Sequence, residues 1–350
     1  MKNPGGRPSL ALKLLIGSIL VVGMIGLIGV KQVKSGARLY RQAQVMLDTL
    51  VEMTVASQNE QEAHTAMAAA YEEIGRIEAL LSKYRNDSQI SKINQHAGEE
   101  AIVRVDREIV EIVQRSLQYA DLTGGVFDIT IGPVVDLWGI GTDHEHVPEN
   151  AELQHVLSSV GYKNIEIQGE TGIRLREPQM ALDLGGIAKG YSIDRAIEVL
   201  RRHKITSALV NAGGDIRCIG TKPDGSPWRV GIQHPRKSSI IGVVPLQDAA
   251  VATSGDYERF FMRNNTRFHH IFTPSTGMPV SECQSVTITT KTAEMADVFA
   301  TAVFVMGPER GLTFIEASPE VEGMIIRADG TMLTSSGFSY QPVNSMHSAF

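Results

Sequence analysis

Seventeen consecutive uncharged residues, Leu14 to Val30 (LLIGSILVVGMIGLIGV), divide this chain in two before anything else constrains its fold. Leu10 to Leu12 extend the run past the single Lys13. At about 1.5 Å of rise per helical residue, a stretch of about 20 such residues crosses a hydrocarbon core. A buried helix of a globular protein would not be apolar on every face with cations at both ends. The run therefore predicts an uncleaved membrane anchor over residues 1–30. A cleaved signal peptide is the rival reading, but the run is long for its apolar segment and Ser35-Gly36-Ala37 is a weak cleavage site. No cysteine lies near the run, so an anchor of the lipoprotein kind is excluded. Lys2, Arg7 and Lys13 stand before it and Lys31, Lys34, Arg38 and Arg41 after it, so flanking charge does not set the orientation.

Those seven bases all precede the first acid, Asp48. Without them, 26 of the 33 basic residues remain against 39 acidic ones, a net charge of −13 on the body. Such a body excludes a general nucleic-acid surface, which needs clustered cations against phosphates. The two cysteines, Cys218 and Cys283, make no disulfide framework and no Cys-x-x-Cys motif, and read best as buried free thiols.

Residues 31–45 read as a polar juxtamembrane linker. Leu50–Val55 alternates enough for a strand. From Glu60 to Tyr84, Ala63, Met67, Ala70, Ile74, Ile77, Leu81 and Tyr84 recur every three or four residues, the spacing of one apolar helix face. A second helix starts behind Asp106 as N-cap and stops at Gly124. The second half alternates in short β-branched runs: Ala208–Val210, Ile216–Ile219, Trp228–Gln233, Ile240–Leu246, Ala249–Thr253, Ser285–Thr290 and Gly323–Arg327. Helical patterns at Tyr191–His203 and Ala293–Met306 interrupt them. Without strict strand–helix alternation, the class is α+β.

Five stretches can carry chemistry. In Leu182-Asp183-Leu184-Gly185-Gly186-Ile187-Ala188-Lys189-Gly190 a glycine-rich turn opens a helix and offers free N–H groups to an anion; tight packing explains it equally well. Asn211-Ala212-Gly213-Gly214-Asp215 reads first as a plain hairpin turn. In Thr292–Phe304, Asp297 and Thr301 stand at i and i+4, oxygens side by side. Asp297 is an isolated carboxylate among Ala296, Val298 and Phe299, and a hard cation would supply its partner; the alternative is an exposed helix edge with Thr301 bonded back to a carbonyl. His269-His270-Ile271-Phe272-Thr273-Pro274-Ser275-Thr276-Gly277 puts histidines before a turn, where either a base or a merely structural histidine would serve. Gly124–Pro133 reads as a strand between glycine breaks or as a ligand wall with Asp128 on a polar ring edge.

Together and in this order, GGVFDITIGPVVDLWGIG, ALDLGGIAKGYSID, LVNAGGDI, ATSGDYERFF, HHIFTPSTG and ADVFATAVFVMG resemble the motifs of the ApbE family of FAD:protein FMN transferases, over about Met46 to Phe338. The resemblance implies an ApbE-like α+β flavin transferase fold behind an N-terminal transmembrane helix, with an FAD-binding domain over 46–340. It implies Mg²⁺ as cofactor and FAD as substrate, with FMN passing to a Ser or Thr of an acceptor protein and AMP leaving. Asp297 and Thr301 then correspond to side-chain metal ligands, with a backbone oxygen at or near Gly186. Met46, Val126, Phe127, Asp128, Asp183, Lys189 and Ile271 fall where the family holds flavin and phosphates. His270 falls at the family histidine and is the first candidate for the base, with Asp297 committed to the metal. Two departures stand out. Met46-Leu47-Asp48-Thr49 replaces the usual Met-Gly-Thr, and Ala300 stands where some members carry a second acid. The resemblance and the export-type N-terminus imply a bacterial inner-membrane protein whose catalytic domain faces the periplasm. The implied acceptor is a subunit of a membrane redox complex of the sodium-pumping NADH:quinone oxidoreductase or Rnf type. Hydrolysis of FAD to FMN and AMP, or flavin binding without catalysis, are the competing functions.

Overall fold

A computed structural model describes residues 36–343. The apolar run Leu14–Val30, and the anchor expected from it, lie outside the described residues. Among the described residues no helix is long and apolar enough to cross a membrane.

The chain begins with a hairpin, β1 (Arg38–Met46) and β2 (Thr49–Ser57), turned by Leu47 and Asp48 at φ 53° and 55°. Residues 38–45, expected as linker, are therefore an edge strand. Its sequence looks like a linker because an edge strand with one solvated side can be polar throughout most of its length. Next comes α1 (Glu60–Leu81), which buries Ala63, Ala66, Met67, Ala70, Tyr71, Ile74, Ile77 and Leu81, the face expected from the spacing. It stops three residues short of Tyr84, because Ser82 turns to extended backbone. The segment α2 (Gln89–Gln95) and the short strand β3 (Val103–Arg104) lead to α3 (Arg107–Leu122). Asp106 takes the cap position of α3 but gives its carboxylate to Gln89 rather than to the helix.

Gly124 to Thr130 is a run of turns, not the expected strand, and Gly132 and Pro133 open α4 (Gly132–Trp138). Two left-handed glycines, Gly124 and Gly125, and the Asp128 side chain shape that run into a loop. Then follow α5 (Asn150–Leu157), the β4 (Ile165–Gln168) and β5 (Gly172–Leu175) hairpin, and α6 (Ala188–Arg202).

The remaining strands are β6 (Ala208–Ala212), β7 (Asp215–Ile219), β8 (Trp228–Gln233), β9 (Ile240–Leu246), β10 (Ala250–Gly255), β11 (Phe260–Arg263), β12 (Thr266–His269) and β13 (Cys283–Thr290). After α7 (Ala293–Met306) and α8 (Pro308–Ala317) come β14 (Glu322–Arg327), β15 (Met332–Thr334) and β16 (Gln341–Pro342). Eight strands form one antiparallel sheet in the order β1-β2-β6-β7-β10-β13-β14-β15. Alternation assigns its two faces. Val51, Met53, Ala208, Val210, Ala250, Ala252, Val286 and Ile288 join the core with α1, α6 and α7. Ile216, Cys218, Val251 and Met324 pack on the other side against β8 and β9. A small third cluster, Val134, Trp138, Leu153 and Phe272, joins α4 and α5 to the β11–β12 ribbon. Both cysteines are buried and free, as expected.

Candidate active site

The site is organised by the crossing of α6 and α7, which cap each other. Asp297 of α7 accepts the N–H of Gly190 at 3.0 Å, an orphan donor of the first turn of α6. Asp194 of α6 accepts the N–H groups of Ala293 and Glu294 at 2.9 and 3.0 Å, orphan donors of α7. Arg217 of β7 neutralises Asp194 from 2.6 Å, and Arg115 of α3 makes a forked pair with Glu294. The helices can approach this closely because residue 190 is glycine: a Cβ there would lie 2.3 Å from the carbonyl oxygen of Ala293. The sequence offered Gly190 as part of an anion-binding turn; its packing role is as strong.

Asp297 is 4% exposed, so it is no exposed-edge carboxylate. Burial pushes its pKa up, against the pull of Lys189. Lys189 lies 3.6 Å from Asp297 Oδ1 and is ion-paired with Asp215, itself 3% exposed. Two buried carboxylates thus share one ammonium, whose own pKa is pushed up: burial opposes the charge, but the two acids outweigh it. Thr301 Oγ1 lies one turn on from Asp297, 3.2 Å from Ser254 Oγ rather than on a carbonyl. A Cβ built on Gly186 would come 3.6 Å from Thr301 Oγ1 and 3.2 Å from the Phe127 ring, so Gly186 lets the turn backbone close on the threonine.

Among the described residues, no three His, Cys, Asp or Glu side chains form a metal cage. A cage of that kind is not what Mg²⁺ needs: it takes one or two carboxylates and keeps water and substrate phosphate oxygens. Asp297, Thr301 and the Gly186 backbone supply hard oxygens, and the two buried acids exceed the one ammonium between them by a negative charge. The donor set fits Mg²⁺.

The flavin candidates are placed in different ways. Asp183 accepts the N–H of Gly185 at 2.8 Å and pairs at 3.0 Å with Lys83, a side chain 6% exposed that also reaches Asp136. It braces the glycine turn through a lysine just beyond α1. Phe127 is buried beneath Gly186, and Val126 packs on the same core. Asp128 is turned into its own loop: it accepts from the N–H and hydroxyl of Thr130 at 2.8 and 2.6 Å and from the N–H of Tyr162 at 3.0 Å. Burial pushes its pKa up. Its carboxylate holds the loop rather than reaching for a ring edge. Ile271 is buried in the core. Met46 lies at the end of β1 with its methyl against Gly75 of α1. Its hairpin leans on the β6–β7 turn, where Gly213 donates to Leu50 at 3.2 Å, beside Asp215.

The two histidines divide the roles left open by the sequence. His269, 2% exposed, sets Nε2 at 2.6 Å from the carbonyl of Val280 and accepts the N–H of Ile271 on Nδ1. It is a structural histidine, its pKa pushed down by burial. His270 is half-buried, with Nδ1 at 3.2 Å from the carbonyl of Arg259. A carbonyl only accepts, so the proton sits on Nδ1 and Nε2 presents a lone pair. Burial first and the Arg259 guanidinium second push its pKa down to about 3, with Lys189 contributing.

The sequence pattern of the ApbE family matches residues 47–325. The chain is 33% identical over 324 residues to the FAD:protein FMN transferase of Treponema pallidum, covering 87% of this chain and 89% of that one. It is 35% identical over 267 residues to the enzyme of the same name from Vibrio cholerae, covering 75% and 79%.

This chain belongs to the ApbE family.

Solved structures agree. The ApbE protein of Thermotoga maritima superimposes with a TM-score of 0.81 at 34% identity, over 85% of this chain and 97% of that one. The flavin transferase ApbE of Vibrio cholerae gives 0.77 at 31%, over 86% and 98%. The α+β ApbE fold expected from the sequence is the fold found. Three residues of this ApbE site were not singled out from the sequence. Asp215 was hidden in a hairpin turn that explains itself, with Gly213 and Gly214 at φ 63° and 103°. Lys83 stands off the apolar face of the stretch read as a helix, and no role was read for it. Arg259 stands inside the ATSGDYERFF motif, where no role was read for it.

Proposed function

We propose that this chain is a Mg²⁺-dependent FAD:protein FMN transferase that moves FMN from FAD to a Ser or Thr hydroxyl of an acceptor protein. The observation that carries this reading is the convergence of buried Asp297, Thr301 and the Gly186 turn, in a chain whose relatives bear that enzyme name. Phosphoryl transfer is mostly positioning and charge stabilisation, and this site is built for both. Bound at Asp297 and Thr301, Mg²⁺ would neutralise charge on the pyrophosphate and favour AMP as leaving group. Lys189, tied to Asp215 and Asp297, fixes those acids and adds positive potential near the phosphates. The acceptor oxygen bonds to the FMN phosphorus, the pyrophosphate P–O bond breaks, and AMP leaves with the electron pair. His270, whose Nδ1 is held by the Arg259 carbonyl so that Nε2 presents a lone pair, takes the hydroxyl proton.

An acceptor in a membrane redox complex of the sodium-pumping or Rnf type, and a periplasmic face of the inner membrane, complete the proposal. The motive is membership of the family together with the export-type N-terminal run Leu14–Val30. The test is mass spectrometry of such an acceptor after incubation with the protein, FAD and Mg²⁺. A mass gain of one FMN with equimolar AMP supports transfer. AMP and free FMN with an unmodified acceptor would make the protein an FAD pyrophosphatase instead.

A further inference from the structure

The carbonyl that holds His270 belongs to a segment that is itself held at its other end. β10 stops at Gly255 and β11 starts at Phe260, so Asp256 to Arg259 join the main sheet to the ribbon. At the ribbon end, the Arg259 carbonyl accepts from the N–H and from Nδ1 of His270, both at 3.2 Å. At the sheet end, Asp256 is 7% exposed and every polar group it has is taken. Its N–H donates to the Gln284 carbonyl of β13 at 3.1 Å. Its carbonyl accepts from Arg267 of β12 at 3.3 Å. Its carboxylate takes both arms of Arg236 at 2.7 and 2.6 Å, with Arg267 at 3.7 Å. Arg236 comes from the 234–239 turn between β8 and β9, so this fork ties the root of the ribbon to the small sheet of β8, β9 and β16.

These contacts close a circuit. It runs along the chain from Asp256 to Arg259, across two hydrogen bonds to His270, back along β12 to Arg267, and across to Asp256. The imidazole stands at one corner and the Arg236–Asp256 fork at the opposite one. One guanidinium suffices to balance the carboxylate; the second, Arg267, links the two strands through the Asp256 carbonyl. Among the described residues, none of the three side chains makes a hydrogen bond or ion pair with Asp183, Lys189, Asp297 or Thr301. We propose that Arg236 and Asp256 are positioning residues for the base: they set the spacing of the two segments that end at Arg259 and His270, and so keep the proton on Nδ1 and the lone pair on Nε2. The proposal rests on the reading of His270 as the base of the transferase. At 3.2 Å the bond from Nδ1 is at the long end of the usual range, so a retreat of the carbonyl by a few tenths of an ångström loses it. With Nδ1 released, the proton can sit on either nitrogen, and the tautomer that carries it on Nε2 has no lone pair for a hydroxyl proton.

Arg236→Gln tests it, because it removes the fork and leaves Asp256 with Arg267 alone. In the full-length chain labelled with ¹⁵N-histidine, the ring nitrogens report the tautomer directly, and His270→Ala identifies the signals of His270. At neutral pH the wild type should show one tautomer, protonated on Nδ1, and Arg236→Gln should show both. Single-turnover FMN transfer should fall about tenfold, inside the roughly 10²-fold worth of the base, with FAD affinity unchanged. In a His270→Ala background the same substitution should lower transfer no further, since it acts through a group already gone. Arg236→Lys keeps a charge beside Asp256 but cannot fork, and should lie between Arg236→Gln and wild type in both readouts. If Arg236→Gln proves unstable, Arg236→Lys decides. A His270 that stays protonated on Nδ1 alone in both variants overturns the proposal. So does a loss of transfer as large in the His270→Ala background as in the wild type, which would make the cluster part of the scaffold. If the wild type binds FAD and transfers no FMN, the transferase reading falls and this proposal with it. If the wild type transfers and the tautomer does not respond, the positioning role alone falls.

Discussion

The α6–α7 crossing and the β11–β12 ribbon both end at the site, and they hold their side chains by different physics. At the crossing, three buried N–H groups meet two buried carboxylates at 2.9 to 3.0 Å, and Gly190 brings the backbones into contact. Moving Asp297 breaks the cap on α6, and parting the helices breaks the Asp194 cap on α7 as well. The ribbon has strands of four residues, half of them exposed, held by the stack of Phe261 on Phe268 and by Trp138 beneath it. Its opening costs little compared with that of the core. Fixed charge sits where two helices cap each other, and His270 sits where a short, partly exposed ribbon ends.

The comparison breaks most readily at Gly190. Gly190→Ala puts a Cβ 2.3 Å from the Ala293 oxygen and 2.7 Å from the Glu294 Cα, both backbone atoms that cannot step aside. A loss of about 3 kcal/mol is expected in denaturant unfolding, the upper part of the overpacking range. A midpoint within error of wild type would show that the helices are not in contact. On the ribbon side, His270→Ala should keep its melting temperature and FAD affinity while single-turnover transfer falls about 10²-fold, or about 2.7 kcal/mol. A variant that melts early instead would make His270 part of the scaffold. Its pH behaviour sharpens the point. With the pKa pushed down to about 3, His270 is neutral above that value and loses its base function only as pH falls through it. At saturating Mg²⁺, kcat/KM should therefore show no His270-dependent midpoint near 6.5; one that disappears in His270→Ala would mean that burial and Arg259 do not hold the imidazole's pKa down. The smallest effect is expected at Thr292. It caps α7 through Met295 at 3.4 Å, but Asp194 already holds the N–H groups of Ala293 and Glu294. Thr292→Ala should cost about 0.5 kcal/mol, the low end for a lost cap; a cost of several kcal/mol would mean that Asp194 shares less of the capping than its distances indicate.

What the sequence disclosed follows the same division. The faces of α1, α6 and α7 and the inner strands were legible because burial on one side imposes a period of 3.6 or 2. Asp297 was legible as the carboxylate with no reason to sit in an apolar helix. The reciprocal cap was not, because Asp194 looks like any polar residue of an amphipathic helix and its partners lie about a hundred residues away. Asp215 was hidden for the same reason, its hairpin turn being a sufficient local explanation. Residues 38–45 passed for a linker because an exposed edge strand need not alternate cleanly. The β11–β12 ribbon did carry a signal: Asn264 and Asn265, at φ 49° and 61°, are residues that tolerate a left-handed two-residue turn between apolar runs. The Gly124–Thr130 loop was misread as a strand because Phe127, Ile129 and Ile131 alternate, and the contacts of Asp128 that bend the chain are to Thr130 and Tyr162.

The central claim is that Asp297 holds the metal used in transfer. Asp297→Asn keeps an oxygen for the Gly190 N–H and the shape of the crossing, and removes the charge. Single-turnover FMN transfer from FAD to an acceptor protein, followed across a Mg²⁺ titration, tests the claim directly. A folded protein is expected, with a rate lower on the order of 10³-fold at wild-type saturating Mg²⁺, the several kcal/mol that metal-ion catalysis supplies. Wild-type transfer by Asp297→Asn at low Mg²⁺ would contradict it.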